Sequence, residues 1–292
     1  MKRLTWIIAG TLVVAVVAAG VWHQRAHRRL TRLVARPSTL PILDGGPAVR
    51  RGATSRLSAA EKSARVDKIR HDYDEIRTRA AADYLAAGTA FPGGLSAFLR
   101  QLALLERERR KDLLTVLTPA ELEALELRES HAGAVVQRLL GSTTASEAQR
   151  RAVFRLQQEF DDQFGLTFDL TPAFLLVRER QRQAMQEQIH AILGDALFAS
   201  WLVDEGPAYA SFTAFASAHG LAATVPLALW RLRNQYVIDR LAISALPGLG
   251  PEQVRAQQSA LARRAEIDAR ALLGSAAIDP SVDQVLSWIP RD

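Results

Sequence analysis

Cysteine is missing from the 292-residue chain, and that absence removes several kinds of chemistry. Disulfides, cysteine nucleophiles and thiolate zinc sites are all excluded, although no compartment is indicated. Only 12 prolines are present, and β-branched residues seldom cluster, so a β-rich body is disfavoured. The hydrophobic share of 48% still supplies enough apolar side chains for one large domain or two modest ones.

Charged residues are missing from the stretch Leu4–Trp22, which follows a short basic start. As a helix this stretch is about 28 Å long, close to the thickness of a bilayer core. Trp6 and Trp22 lie near its two ends, where interfacial aromatic residues are common. The pattern predicts a transmembrane helix over residues 1–24, in a single-pass protein of the inner membrane.

The fate and the orientation of this segment have alternatives. Small residues at Val17-Ala18-Ala19 suit a signal-peptidase site, so the segment is either a retained anchor, which we favour, or a cleaved signal. The arginines after it would keep the body in the cytoplasm by the positive-inside rule, whereas the basic start and immediate apolar run are typical of an export signal. We expect an extracytoplasmic, periplasmic body, with three arginines at the membrane interface beside the tryptophans: Arg25, Arg28 and Arg29.

Acidic residues are scarce only near the predicted membrane segment. Residues 23–56 hold eight arginines and one acid, Asp44, whereas residues 57–292 hold 27 basic and 30 acidic residues. The net charge of +6 therefore comes from the membrane-proximal part, where clustered arginines can lie against anionic headgroups. The mildly acidic remainder argues against nucleic acid as a partner.

Proline and glycine concentrate between the membrane segment and the rest of the chain, in "RPSTLPILDGGPAVRRGATSR". We interpret residues 25–56 as a basic juxtamembrane linker. Residues 57–290 then form the body, with a subdivision near residues 166–171. Nearly every segment of this body is rich in Ala, Leu, Arg, Glu and Gln, which favours helix. We predict an all-α fold, an antiparallel helical bundle or hairpin array.

Helix-start signals support this prediction. Ser58 with Glu61 has the spacing of a capping box, in which two backbone amides are satisfied reciprocally. Thr144 with Glu147 repeats the spacing, and Thr171-Pro172 opens a further helix. Three tryptophans have apolar neighbours at helical spacing and are expected in the core: Trp201, Trp230 and Trp288.

The stretch "VLTPAELEAL" predicts a tight corner between two helices. Thr118 is the expected cap, Pro119 takes the first helical position, where its missing amide costs nothing, and Glu121 completes a capping box. A second corner has nearly the same letters, Leu249-Gly250-Pro251-Glu252-Gln253.

Both corners resemble the LTxxQ motif of the small periplasmic stress chaperones of the Spy type. The first has Glu121 where that family prefers glutamine, and the second has Gly250 where it prefers threonine. The resemblance implies an all-helical, often homodimeric, concave body that binds unfolded or envelope proteins. It also implies a set of partner-binding residues at the corners: Leu117, Thr118, Glu121, Leu249 and Gln253.

A broader resemblance extends over roughly residues 60–290. The segments "LTPAELEALELRES", "AVFRLQQEFDDQFG", "AILGDALFASWL" and "PAYASFTAFASAHGL" are similar to segments of uncharacterised bacterial membrane-anchored helical proteins. This second resemblance implies the architecture and carries no activity.

Catalytic and metal-binding patterns are not found. His23 and His27 share a helical spacing that suits a metal, but arginines flank them and would repel a cation. The acidic runs "HDYDEI" and "EFDDQFG" are expected on solvated helix faces, paired with nearby arginines. No phosphate loop, nucleophile elbow or zinc-protease pattern occurs. We predict a protein that is not an enzyme and that needs no cofactor or metal.

Two functional interpretations remain. In the first, the chain is a membrane-anchored, chaperone-like or stress-responsive module that binds other proteins of the cell envelope or unfolded clients. In the second, it is a structural or regulatory membrane protein dedicated to one partner, such as a sigma-factor regulator. Suppression of aggregation among unrelated clients distinguishes the first from the second.

Overall fold

The computed structural model describes residues 57–88, 93–167 and 169–290. Within these ranges the secondary structure is helical and contains no strand, so the all-α prediction is confirmed. No helix of the described ranges is both long enough and apolar enough to cross a bilayer. The predicted transmembrane segment and linker, residues 1–56, lie outside the described residues, as do the interfacial tryptophans and arginines assigned to them.

Ten α-helices and one 3-10 helix make up the described fold. We number the α-helices in chain order: α1 Ala59–Ala87, α2 Gly94–Leu113, α3 Pro119–Glu129, α4 His131–Leu140, α5 Glu147–Phe164, α6 Pro172–Glu205, α7 Pro207–Ala218, α8 Val225–Ala245, α9 Pro251–Leu273 and α10 Val282–Val285. The 3-10 helix, Gly274–Ile278, lies between α9 and α10.

Contacts divide the chain into two compact units. Of the described residues, the first unit comprises those up to Gly94 together with Leu105–Leu117. The second comprises Leu95–Leu104 and the residues from Thr118 onward. Residues 166–171, where the sequence suggests a subdivision, lie inside the second unit, and that subdivision stays a prediction.

In the first unit, α1 runs antiparallel to the second half of α2. The Tyr73 hydroxyl donates to an Asp112 carboxylate oxygen at 2.7 Å, and Arg77 pairs with Glu106 at 3.4 Å. Residue numbers rise along α1 as those of their partners fall along α2, so the two helices are antiparallel. Burial raises the pKa of the Tyr73 phenol, and the hydrogen bond to Asp112 raises it further.

The core of the second unit is built around α8, which packs against α6, α7 and α9. Trp201 and Trp230 are buried in it, as the sequence predicts. The Phe198 ring meets Trp230 edge-on, with ring centroids 5.8 Å apart, an arrangement that aromatic quadrupoles favour. Trp288 is only half-buried and packs against this core.

Helix α6 reverses direction at Gly194 and so consists of two arms, residues 172–193 and 195–205. Gly194 has φ 72° and ψ 171°, a backbone conformation essentially restricted to glycine. Gln186 bonds Glu205 at 2.9 Å across 19 residues, a separation that would be about 28 Å in a straight helix. The two arms must therefore lie side by side.

Local helix starts agree with the sequence at most positions. Ser58 forms the predicted capping box with Glu61, and Thr171 caps α6. The prediction of Thr144 with Glu147 is wrong, because Ser146 caps α5 and Gln149 completes the box. The chain offers two overlapping boxes two residues apart, and the structure uses the second.

Candidate functional site

The first predicted corner lies between α2 and α3. Helix α2 ends at Leu113, and a backbone bond from Val116 N–H to the Leu113 carbonyl, 3.0 Å long, closes the turn that follows. The Thr118 hydroxyl accepts from the Glu121 N–H at 3.3 Å, and the Glu121 carboxylate accepts from the Thr118 N–H at 2.8 Å. The predicted capping box is confirmed, with both side chains exposed.

The second corner lies between α8 and α9 and reproduces half of this arrangement. Gly250 N–H donates to the Gln253 side-chain oxygen at 3.0 Å, as Thr118 does to Glu121. Gly250 has no side chain, so the return bond to the helix is missing. Gly248 takes φ 82°, which lets the chain reverse between Ala245 and Pro251 without steric cost.

Each corner carries a pair of leucines at the same spacing. Leu117 and Leu249, which the sequence predicts as binding residues, are half-buried. Three residues before each of them lies an exposed leucine. Leu114 is 43% exposed and Leu246 is 51% exposed. Sequence reasoning missed this second pair, although the repeated spacing Leu-x-x-Leu was visible in the letters.

The remaining predicted binding residues are polar and exposed. Thr118, Glu121 and Gln253 all reach solvent, and all three are used in capping bonds within their own corner. The capping bonds fix the angle at which each new helix starts. All three side chains therefore serve as helix caps, and their contact with a partner stays a prediction.

A partly buried polar cluster that the sequence did not predict joins the two arms of α6. Gln186, which is 1% exposed, donates to both carboxylate oxygens of Glu205 at 2.9 and 3.1 Å. Arg182 pairs with Glu179 on its own helix and lies 3.9 Å from Glu205. Arg138 of α4 reaches the same end of α6 by donating to the Asp204 carbonyl at 3.4 Å.

Burial disfavours the charged forms of the side chains in this cluster, and attraction between opposite charges favours them. Burial raises the pKa of Glu205, and attraction to Arg182 opposes the rise. Burial, together with repulsion from Arg182, lowers the pKa of Arg233 on α8. Removing one member would leave a partner charge uncompensated. The cluster therefore stabilises the packing of α6 against its neighbouring helices.

No linear pattern marks this cluster. Glu179, Arg182 and Gln186 follow helical spacing on one face of the first arm, but the sequence does not show that this face meets Glu205. A reversal at Gly194 would have had to be predicted first. A lone glycine such as Gly194 is typical of a helix end, which describes each arm by itself.

The acidic runs agree with the sequence prediction in part, because one pairs with an arginine and the other contacts a histidine. His131 lies 2.9 Å from Asp161, a residue of the run "EFDDQFG", and Asp74 of the run "HDYDEI" pairs with Arg77. Within the described ranges, no group of three or more His, Asp or Glu residues is arranged to hold a metal ion. His23 and His27 lie outside those ranges.

The resemblance to Spy-type chaperones rests on five residues at each corner and stays a prediction. No protein-family model, curated protein or solved structure matches the chain.

Proposed function

We propose that the chain is a helical protein-binding module of the cell envelope and that it carries out no chemical step. Its N-terminal segment anchors it in the inner membrane, with the body in the periplasm. The leucines of the two corners contact partner proteins, either unfolded clients or other envelope proteins. The resemblance to Spy-type chaperones favours unfolded clients as the main class.

The observation that carries the proposal is the repeated leucine pair. A single exposed leucine is ordinary on a protein surface, so the exposure of Leu114 or Leu246 alone would mean little. The same exposed residue recurs three positions before the half-buried leucine of each corner, and this repetition favours a shared interaction role for the two leucine pairs.

The charge distribution supports a protein partner beside a membrane. The arginines of residues 23–56 suit anionic headgroups, so the basic charge lies where the membrane would be. The body has a slight excess of acid, which leaves apolar contact as the main attraction for a client. Such contacts are non-directional, which suits clients of unrelated sequence.

The experiment that tests the proposal measures aggregation of two unrelated unfolded proteins, with the full-length chain added at equal molar amount. We expect light scattering from both clients to fall. Scattering that stays unchanged for both clients would reject the chaperone-like function. Capture of one envelope protein without any suppression of aggregation would support the dedicated-partner interpretation instead.

A further inference from the structure

A cleft of about 260 Å³ opens between α8 and α9, close to the second corner. Tyr236 and Arg240 line it from α8, one helical turn apart. Four residues of α9 line the opposite side, and Pro290 of the C-terminal segment completes it: Arg255, Gln258, Ser259 and Ala262. Two helices thus bring two guanidinium groups to a single concave surface.

Among the described residues, the side chains that line the cleft are basic or neutral. Within the described ranges no acidic residue lines it, and the Arg240 guanidinium forms no ion pair there. Arg255 donates from Nε to the Pro251 carbonyl at 3.4 Å and lies 3.9 Å from Glu252. The side chains of that ion pair are 74% and 91% exposed, so the pair is weak. A concave surface with one sign of charge concentrates ions of the opposite sign.

The floor of the cleft is preformed. Tyr236 is 4% exposed, and its ring meets Trp288 edge-on with centroids 5.5 Å apart. Gln258 donates to the Ser244 hydroxyl at 2.9 Å, which fixes its amide. A ligand would meet a buried aromatic ring and a fixed amide on one side and exposed arginine side chains on the other.

The geometry points to a phosphate ester as the ligand. Guanidinium groups on two different helices can donate to a tetrahedral phosphate from two directions, and a phosphate monoester offers them three strong acceptor oxygens where a carboxylate offers two. The volume holds about nine water-sized groups, more than bare phosphate needs and close to the size of glycerol phosphate. We propose that this cleft binds a glycerol-phosphate-sized phosphate ester, a role independent of client binding at the corners.

Calorimetric titration of the full-length chain with glycerol 3-phosphate tests the site. We expect saturable binding that weakens as salt is added, because the arginines are partly exposed. The Arg240→Gln variant should bind at least about tenfold more weakly, the usual cost of losing a charge-assisted hydrogen bond. Arg263→Gln, an exposed change of the same charge on α9 outside the cleft, should bind like the wild type.

Inorganic phosphate should bind more weakly than glycerol 3-phosphate, because it leaves the aromatic floor uncovered. Competition with dihexanoylphosphatidylglycerol, a lipid that is monomeric in dilute solution, identifies the source. Displacement of glycerol 3-phosphate assigns the cleft to a lipid headgroup, and lack of displacement assigns it to a free phosphate ester. Absence of saturable binding to the wild type, or equal binding by Arg240→Gln, would overturn the proposal.

Discussion

Thr118 shows how much a single side chain contributes at a corner. Its hydroxyl satisfies the Glu121 amide at 3.3 Å, and Thr118→Ala leaves that donor to solvent. We expect a loss of about 1 kcal/mol in the free energy of unfolding, measured by urea denaturation, and no change in partner binding by the folded protein. Thr118→Ser keeps the hydroxyl and should retain most of the stability. A serine variant as unstable as the alanine variant would contradict the capping role.

His219 and Asp279 form the clearest titratable pair. The backbone carbonyl of Phe215 lies 2.9 Å from Nδ1 of His219, and Asp279 lies 3.1 Å from Nε2. Only the doubly protonated ring can donate to both, so these bonds raise the pKa of His219 above its ordinary 6.5. Hydrogen bonds from Ser281 and then from His219 lower the pKa of Asp279 to about 2.

This pair makes stability depend on pH in a defined window. The raised pKa of His219 stabilises the fold fully below 6.5, and the effect is lost as pH rises through the folded-state pKa. The lowered pKa of Asp279 stabilises the fold above 3.8, and that effect is lost as pH falls toward about 2. We expect the melting-temperature difference between wild type and His219→Gln to be largest near pH 5 and to shrink by pH 9.

An Asp279→Asn background provides the control for this titration. His219→Gln should lose part of its pH dependence there, because one of the two acceptors for the imidazolium is then uncharged. The bond to the Phe215 carbonyl remains and should preserve the rest. A melting-temperature difference that grows from pH 5 to pH 9 would be incompatible with this account of the pair.

Among the elements, α6 depends on one backbone position. At φ 72° and ψ 171°, Gly194 occupies a region that costs other residues roughly 1–3 kcal/mol, although a Cβ there would meet no atom within 4 Å. We expect Gly194→Ser to lower the free energy of unfolding by about that amount. Gly206→Ser is the matched control, because its φ of −177° suits any residue and a Cβ there also has free space.

Gly206→Ser should be neutral or slightly stabilising, since serine is a preferred cap and Gly206 caps α7. Thermal unfolding of both variants measures the difference. Equal stability of Gly194→Ser and Gly206→Ser would mean that the reversal of α6 does not depend on glycine at residue 194.

Helix starts could be predicted because capping bonds join residues three apart. At Ser58 and Thr118 the chain offers one box, and the structure uses it. Before α5 it offers two, and Thr143 decides between them by bonding the Leu140 carbonyl and the Ala145 amide. That turn occupies residues 140–145 and leaves Ser146 as the cap.

The cluster around Glu205 could not be predicted, because it joins distant parts of the chain. Gln186 and Glu205 are 19 residues apart, and their contact exists only after α6 reverses at Gly194. Composition and periodicity describe each arm separately. They carry no information on which face of one arm meets the other.

At the scale of the whole molecule, the helical class followed from composition, whereas the exposure of particular side chains did not. Leu113 is 0% exposed and its neighbour Leu114 is 43% exposed, although the two letters are identical. Successive residues on a helix differ by about 100° in direction, so exposure depends on the phase of the helix against its neighbours. The corners could be predicted from sequence, and the exposed leucines beside them could not.

We propose that these exposed leucines bind partner proteins. The most direct test of this claim compares client aggregation and melting temperature for wild type, for the double variant Leu114→Ser with Leu246→Ser, and for Ile278→Ser. Ile278 is 92% exposed and lies outside both corners, so it controls for the loss of apolar surface in general. We predict that the double variant keeps its melting temperature within a few degrees but loses most suppression of aggregation, while Ile278→Ser behaves like the wild type. Wild-type suppression by a folded double variant would contradict the claim.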